Sequence, residues 1–322
     1  MPEWLVEHGF GETRAALVED EGIIEARIEI AGIWRAGSVI TAKLVDVGRN
    51  GRNAVAVDRQ GTEYLLSKGA PGATEGASLH LWIKREAIPG LEPWKRPLAR
   101  MIDQPHKPLP RLAERLGVQE LVVPRPHDEL AAAGWNDLLD EARTGTVQFA
   151  GGALRISPTP AMTLIDIDGY LDLEELAVTG AAEAAKAIRR LDIGGSIGID
   201  LPTIKGKAAR QSAADAIDAH LPQPFERTGV NGFGFIQIVR NRTRASLIEL
   251  AQDRAAFEAR ALLRRAAFEL PGPKRLVANP AVTATLGFNP AWLDHLARQL
   301  GGAITLRADA ALPMSGGYVE SP

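Results

Sequence analysis

The sequence predicts a mixed α/β (α+β) protein with more than one domain, and three observations carry that reading. The first 90 residues are filled by short runs of alternating apolar and polar residues broken by glycine-containing turns, and period-two runs of this kind read as strands. Residues 162–200 hold a strand–helix–strand pattern, the unit from which parallel sheets are built. The chain has 322 residues, at roughly 150 per domain a length for about two domains.

Taken in order, residues 1–36 read as β, with TRAALVEDEGIIEARIEI turning back on itself at Glu19–Gly22 as a hairpin. Ser38–Val47 is a further strand, and Asn50-Gly51 after it favours a tight hairpin turn because both residues tolerate positive φ. NAVAVD, TEYLLS and LHLWIKRE follow. Short strands at this density predict a small barrel of the oligonucleotide-binding kind over 37–100. Residues 91–112 are rich in proline and positive charge and read as the exit from that barrel, with a linker at 101–112. Two amphipathic helical stretches around a short VVP strand occupy 113–143. VQFA and ALRIS form a second hairpin about Gly151-Gly152. MTLIDID is expected as a buried strand, EAAKAIRRL as a helix and SIGID as another buried strand. A helix over 207–220 leads into the strand FGFIQIVR, a long helix from Arg244 to Phe268, a helix near 290–299 and a last strand, AITLRA.

Composition narrows the function classes. With 45% hydrophobic and 24% charged residues, the chain can bury a proper core, which argues against global disorder. No stretch approaches the roughly 18 uncharged apolar residues of a membrane span, so no membrane association is expected. The start, MPEWLVEHGFGE, lacks the basic and apolar regions of a signal peptide. Cysteine is absent, which removes disulfides, cysteine-ligated zinc and thiol catalysis and is compatible with the cytoplasm. The net charge of −3 argues against coating nucleic acid by bulk electrostatics and leaves room for a local basic groove. The six histidines are scattered, with no pair at i, i+4.

The chemistry-bearing block is 162–200. Alternation in MTLIDID puts Asp166 and Asp168 on one face of the strand, and SIGID ends in Asp200. The two strands are expected to be parallel, so their C-terminal ends share one edge, where open α/β sheets place ligands. The reading takes no Lys or Arg to be near these acids, so their repulsion calls for a hard divalent cation. Mg²⁺ suits one or two carboxylates plus water and phosphate oxygens, and such a site suits phosphodiester hydrolysis. The competing reading is that these acids cap helices or stay solvated. Asp192 reads as a turn residue, and Gly206-Lys207 lacks the rest of a phosphate loop.

Two further features point toward nucleic acid. Arg240, Arg242 and Arg244 crowd a strand end and a helix start, where guanidinium groups beside the acidic edge would hold an RNA backbone. In the barrel, Tyr64 is a candidate for stacking on a base, while Lys84, Arg85, Lys95 and Arg96 are placed to follow phosphates. The alternatives are a solvated basic turn and a tyrosine that fills the barrel core.

GGALRISPTPAMTLIDIDG, LDIGGSIGIDL and FGFIQIVRNRTRASL, in this order and spacing, resemble the ribonuclease E/G family. ETRAALVEDEGIIEARIE is similar to that family's first hairpin, GSVITAKLVDVGRNGRNAVAVDRQGTEYLLS to its barrel, and RLVANPAVTATLG through GAITLRAD to its C-terminal piece. The resemblance implies a ribonuclease-H-like fold (1–36 and 113–157) with an inserted OB-fold barrel (37–100), a deoxyribonuclease-like catalytic subdomain (158–268) and a small C-terminal α/β piece (269–322). It further implies a Mg²⁺-dependent endoribonuclease acting on single-stranded RNA. In that frame Asp166 and Asp200 match the metal-binding aspartates, and Asp168 matches a position where the family has Asn. Tyr64 matches a base-stacking aromatic, and Lys84 and Lys95 fall near basic positions flanking the barrel.

The chain departs from the family pattern at Ala56, which replaces a second barrel aromatic, and at Pro160 and Thr203, which replace acids. The 5′-phosphate-sensing motif is missing from the short segment after the barrel. Without cysteines there is no zinc-linked dimer, leaving homo-oligomers by other contacts. The expected function is therefore an endoribonuclease leaving 5′-phosphate and 3′-hydroxyl ends. The alternatives are a non-catalytic RNA-binding protein on the same scaffold and a phosphodiesterase acting on a small nucleotide.

Overall fold

The computed structural model describes every residue except 21, 49–52, 90–94, 106, 108 and 124–126. The expected Asn50-Gly51 turn, part of the proline-rich exit and the proline of VVP lie outside the described residues. The chain folds as two units: Met1–Gly32, Leu112–Arg143 and Leu250–Pro322 form the first, Ile33–Arg111 and Thr144–Glu249 the second.

In chain order the elements begin with β1 (Glu3–His8), β2 (Glu12–Glu19) and β3 (Gly22–Ile30). β4 (Val39–Asp46), β5 (Ala54–Val57), β6 (Glu63–Leu66), β7 (Ser78–Arg85) and β8 (Leu98–Ile102) follow. Next come α1 (Leu112–Leu116), β9 (Glu120–Leu121), α2 (Glu129–Ala132) and α3 (Trp135–Thr144). The central block is β10 (Thr146–Phe149), β11 (Gly152–Pro158), β12 (Thr163–Gly169), α4 (Leu173–Arg190), β13 (Gly195–Asp200), α5 (Lys207–His220), β14 (Phe225–Arg227) and β15 (Phe235–Arg240). The chain finishes with α6 (Leu247–Leu250), α7 (Arg254–Ala267), β16 (Lys274–Ala278), α8 (Pro280–Gly287), α9 (Pro290–Leu300), β17 (Ile304–Ala308) and β18 (Tyr318–Glu320).

In the first unit, β3-β2-β1-β9 and β17-β16-β18 are the two sheets. Phe10, from the loop after β1, is buried in one cluster with Leu262 and Leu263 of α7, Leu276 of β16, Val282 of α8 and Leu296 of α9. The stretch predicted as a separate C-terminal piece (269–322) therefore shares its core with the first hairpin and α7.

In the second unit, β4-β5-β6-β8-β7 close a barrel. The closing strand is β8, which pairs parallel to β6 and antiparallel to β7; the linker predicted from residue 101 thus starts inside a barrel strand. The other sheet runs β10-β11-β12-β13-β15-β14. Its β11–β12 pairing spans Gly152↔Gly169 to Pro158↔Thr163, so the domain boundary predicted at 157 falls within one continuous sheet.

This sheet is a two-layer structure with one open face. Leu154, Ile156, Ile165, Ile167, Ile197, Ile199, Ile236 and Ile238 point to the covered face and are buried, each contributing roughly 1.5–3 kcal/mol. α4 covers them with its alanine-rich side, Ala177, Ala181, Ala184 and Ile188. At Gly180 the helix comes so near that an added Cβ would sit 2.5 Å from Ile167 Cγ2. On the other face Leu164, Asp166 and Asp168 alternate outward and are exposed. MTLIDID, predicted as a buried strand, buries one side only.

The long helix expected over 244–268 is two helices. Ser246 and Glu249 cap α6 reciprocally: the Ser246 amide donates to Glu249 Oε2 at 2.9 Å, and the Glu249 amide to Ser246 Oγ at 3.3 Å. Asp253 then caps α7 by accepting from the Ala256 amide at 3.4 Å. Among the described residues no helix is long and apolar enough to cross a membrane.

Candidate metal and nucleic-acid site

β12 and β13 are parallel, and Asp166 stands in register with Asp200. Register partners on adjacent strands point to the same face, about 4.8 Å apart along the sheet. Both carboxylates are exposed on the open face. Partial burial, then the nearby charges of Asp168 and Asp200, raise the Asp166 pKa above the usual carboxylate value, against the opposing pull of Arg155 and of the Ile167 amide.

Two expectations about this edge are corrected. Arg155 of β11 is the cross-strand partner of Asp166, and its Nε lies 3.5 Å from Asp168 Oδ2, so the acids do have a cation among them. The pair is two-thirds exposed on both sides (69% and 66%) and is therefore solvent-screened and weak. Among the described residues no three Asp, Glu or His side chains stand close enough to hold one ion. The expected convergence of three acids becomes a facing pair, Asp166 and Asp200, with Asp168 leaning to Arg155. Two carboxylates completed by water and phosphate oxygens are an ordinary magnesium donor set, so the pair fits that ion.

Arg155 was legible in principle. The short turn at 159–162, where the Thr159 amide donates to the Met162 carbonyl at 3.0 Å, sets the β11–β12 register, and that register puts Arg155 opposite Asp166.

The arginine cluster is at the other end of the sheet. β15 runs antiparallel to β13, so Arg240 faces Gly195, while Phe235 faces Asp200. The predicted cluster beside the acidic edge is therefore corrected. Its side chains are also engaged inside the fold: Arg240 Nη1 donates to the Ile193 carbonyl at 2.9 Å, Arg242 pairs with Glu249, and Arg244 pairs with Asp192. Asp192 sits in a turn at φ 54°.

Tyr64 is likewise corrected as a stacking residue. Its ring belongs to the barrel core at 1% exposure, beside Leu44, Leu66 and Leu81. Its hydroxyl donates to Asp58 Oδ2 at 2.8 Å. Burial, and that hydrogen bond to Asp58, raise the phenol pKa far above its ordinary value. A base has no access to the ring. Of the remaining predicted contacts, Lys84 is exposed on β7, and Lys95 Nζ donates to the Pro160 carbonyl at 3.2 Å. That bond ties the barrel's exit to the loop leading into β12. The barrel also has a cavity of about 390 Å³ lined by Trp34, Thr41, Asp58 and Arg59.

The fold and site together define a class: an α+β protein with a closed five-stranded barrel and an open-faced sheet that carries an acidic pair. No protein-family model matches the chain, and no curated protein matches it.

Proposed function

We propose that the protein is a metal-dependent endoribonuclease of the ribonuclease E/G type, in which a ribonuclease-H-like frame and an OB-fold barrel serve a magnesium site on the open sheet. It hydrolyses single-stranded RNA to 5′-phosphate and 3′-hydroxyl ends in the cytoplasm. The observation that carries this reading is the register pairing of Asp166 with Asp200 on parallel strands, with the pKa of Asp166 raised by burial and its acidic neighbours. Such a pair is a latent cation site. Asp166 and Asp200 would hold Mg²⁺, which when bound lowers the pKa of a water and offsets charge on the phosphoryl oxygens. Arg155 orients Asp168 and adds positive charge at the same edge. Lys84 and Lys95 would contact the RNA backbone on the barrel side.

The test is cleavage of a labelled single-stranded RNA by purified protein with and without Mg²⁺. Asp166→Asn and Asp200→Asn are each expected to abolish the magnesium-dependent product while retaining RNA. Cleavage by both variants at the wild-type rate would overturn the assignment. The second reading, an RNA-binding protein that has lost catalysis, is favoured by the Arg155–Asp168 pair. It is favoured also by Thr203, whose hydroxyl donates to the Phe233 carbonyl at 3.3 Å where the family has an acid. That reading expects RNA retention and no product from the wild type.

A further inference from the structure

The two large aromatics at the acidic edge are the most exposed in their stretch of chain: Tyr170 at 86% and Phe233 at 83%. Single exposed apolar residues need no explanation, but these two share one sheet edge with the acids. Tyr170 is the first residue past β12, on the side of β11, where its amide donates to the Gly151 carbonyl at 3.0 Å. Phe233 lies two residues before Phe235, the register partner of Asp200, on the far side of β13. Tyr170 continues the line of β12 beyond Asp166 and Asp168, and Phe233 lies on the line of β15, two strand spacings or about 10 Å across the sheet, with Asp200 of β13 on the line between them.

Neither aromatic is exposed for want of a place to pack. After β12 the inward position is taken by Leu171, which lies so close to Gly151 that an added Cβ there would be 2.4 Å from Leu171 Cδ1. Before β15 the open-face position beside Asp200 is taken by Phe235, whose ring lies over Gly198, 2.5 Å from where a Cβ would be. Alternation with Leu171 turns Tyr170 outward, and Phe233 stands in the turn just before Gly234, whose φ is 91°. Both are held on fixed backbone. The Asn231 side chain accepts from the amides of Phe233 at 2.9 Å and Phe235 at 3.1 Å, and the Asn231 amide donates to the Phe235 carbonyl at 3.0 Å. Solvated rings on fixed backbone, at the sheet edge that carries the acidic pair, have the form of a stacking platform for unpaired bases.

We infer that Tyr170 and Phe233 bind the bases on either side of the scissile phosphate of a single-stranded RNA, taking the stacking role that the buried Tyr64 cannot fill. The inference rests on the nuclease reading above, and it names the residues that hold the substrate there. Stacking is indifferent to base identity, so the platform selects single strands over duplex rather than one sequence over another.

The experiment measures binding of a short fluorescein-labelled oligouridylate to the full chain by anisotropy, in buffer with Ca²⁺ replacing Mg²⁺, over a salt series. Phe233→Leu and Tyr170→Leu keep an apolar side chain and lose the aromatic face. Each is expected to weaken binding about tenfold, with the slope of affinity against salt unchanged because no phosphate contact is lost. The same substitutions are expected to have no effect on an oligomer made of abasic sugars, and Phe233→Tyr to bind as wild type. Melting temperatures should match the wild type, since both rings are exposed. Wild-type affinity in both leucine variants would overturn the platform while leaving the nuclease reading standing; it would assign the rings to another partner, such as a protein. An equal loss on the abasic oligomer would also overturn it. Failure of the wild type to bind single-stranded RNA at all would overturn the nuclease reading itself.

Discussion

Two groups of acids in this protein have opposite electrostatic designs. In the first unit Glu7, Glu12 and Asp128 are matched by Arg14, Arg260 and Arg264. Arg14 reaches Glu7 at 2.5 Å and Glu12 at 2.6 Å, Arg260 reaches Glu12 at 2.7 Å, and Arg264 bridges Glu7 at 2.9 Å and Asp128 at 2.6 Å. Glu7 and Arg14 are each about 1% exposed. In the second unit Asp166, Asp168 and Asp200 lie on an open face with Arg155 at 3.5 Å from Asp168. Among the described residues the buried group has three cations for these three acids and ties β1 and β2 to α7 and the N-cap of α2. Among the described residues the open group has one arginine, loosely placed, for three acids. Buried charges must be matched to be tolerated at all, so the first group is explained by folding alone. The second is solvated and under-compensated, which leaves it free to be matched by something that arrives from solution.

The sharpest way to break this contrast is to remove one cation from the buried group. Arg264→Ala takes a cation from buried Glu7 and half-buried Asp128 and is expected to cost about 3–5 kcal/mol of folding stability. Asp166→Asn on the open face is expected to leave stability within about 0.5 kcal/mol of wild type. Urea unfolding followed by circular dichroism measures both. A large loss in the aspartate variant would make the open group structural and remove its claim to be a site.

The same contrast has a pH signature within the second unit. The hydrogen bond from Arg227 lowers the Asp218 pKa below its ordinary value, with Arg227 Nε 2.7 Å from Asp218 Oδ1. For Asp218 the unfolded chain binds the proton more readily than the folded one. Its stability contribution is therefore present above the unfolded carboxylate pKa, about 3.9, and is lost as pH falls through the folded value. For Asp166 the folded pKa is the higher one, so the folded chain holds more proton in the window just above that unfolded value. Its contribution runs the other way: stability declines as pH rises through the window, and protonation relieves the repulsion. Carboxyl-carbon NMR titration should find the Asp166 midpoint above, and the Asp218 midpoint below, the ordinary aspartate range. Added Mg²⁺ should lower the Asp166 midpoint and leave Asp218 in place.

What was legible in the sequence follows from what is local. Period-two alternation located β12, β13 and β15, and the parallel crossover put Asp166 beside Asp200, because strand–helix–strand geometry leaves few alternatives. The barrel was legible from strand density, but its closing strand β8 was hidden in a proline-rich, basic stretch that reads as a linker. Tyr64 failed because a four-residue strand, EYLL, shows too little alternation to tell the inner from the outer barrel face. The arginines failed for a topological reason: the direction of β15 relative to β13 decides which edge Arg240 reaches, and no residue in FGFIQIVRNRTRASL encodes it. The split between α6 and α7 was in fact written locally, as Ser246 with Glu249 and then Asp253, but apolar periodicity across the join masks it. Tyr170 and Phe233 were invisible because both lie just outside the strands, where period-two alternation no longer says which way a side chain points.

The finest test of the contrast concerns Arg155, the cation that reaches the acids of the open edge. Arg155→Ala removes a charge that lowers the Asp166 pKa, so the Asp166 midpoint is expected to rise further, modestly, because the arginine is 69% exposed and screened. Folding stability should stay within about 0.5 kcal/mol of wild type. The consequence for the proposed reaction has a definite sign. A more negative edge binds a divalent cation more tightly, so half-maximal cleavage should need less Mg²⁺. If instead the magnesium requirement is unchanged and the maximal rate falls, Arg155 acts on the RNA phosphate rather than on the acids. The guanidinium fork facing Asp166 across the hairpin would then belong to the substrate's side of the site.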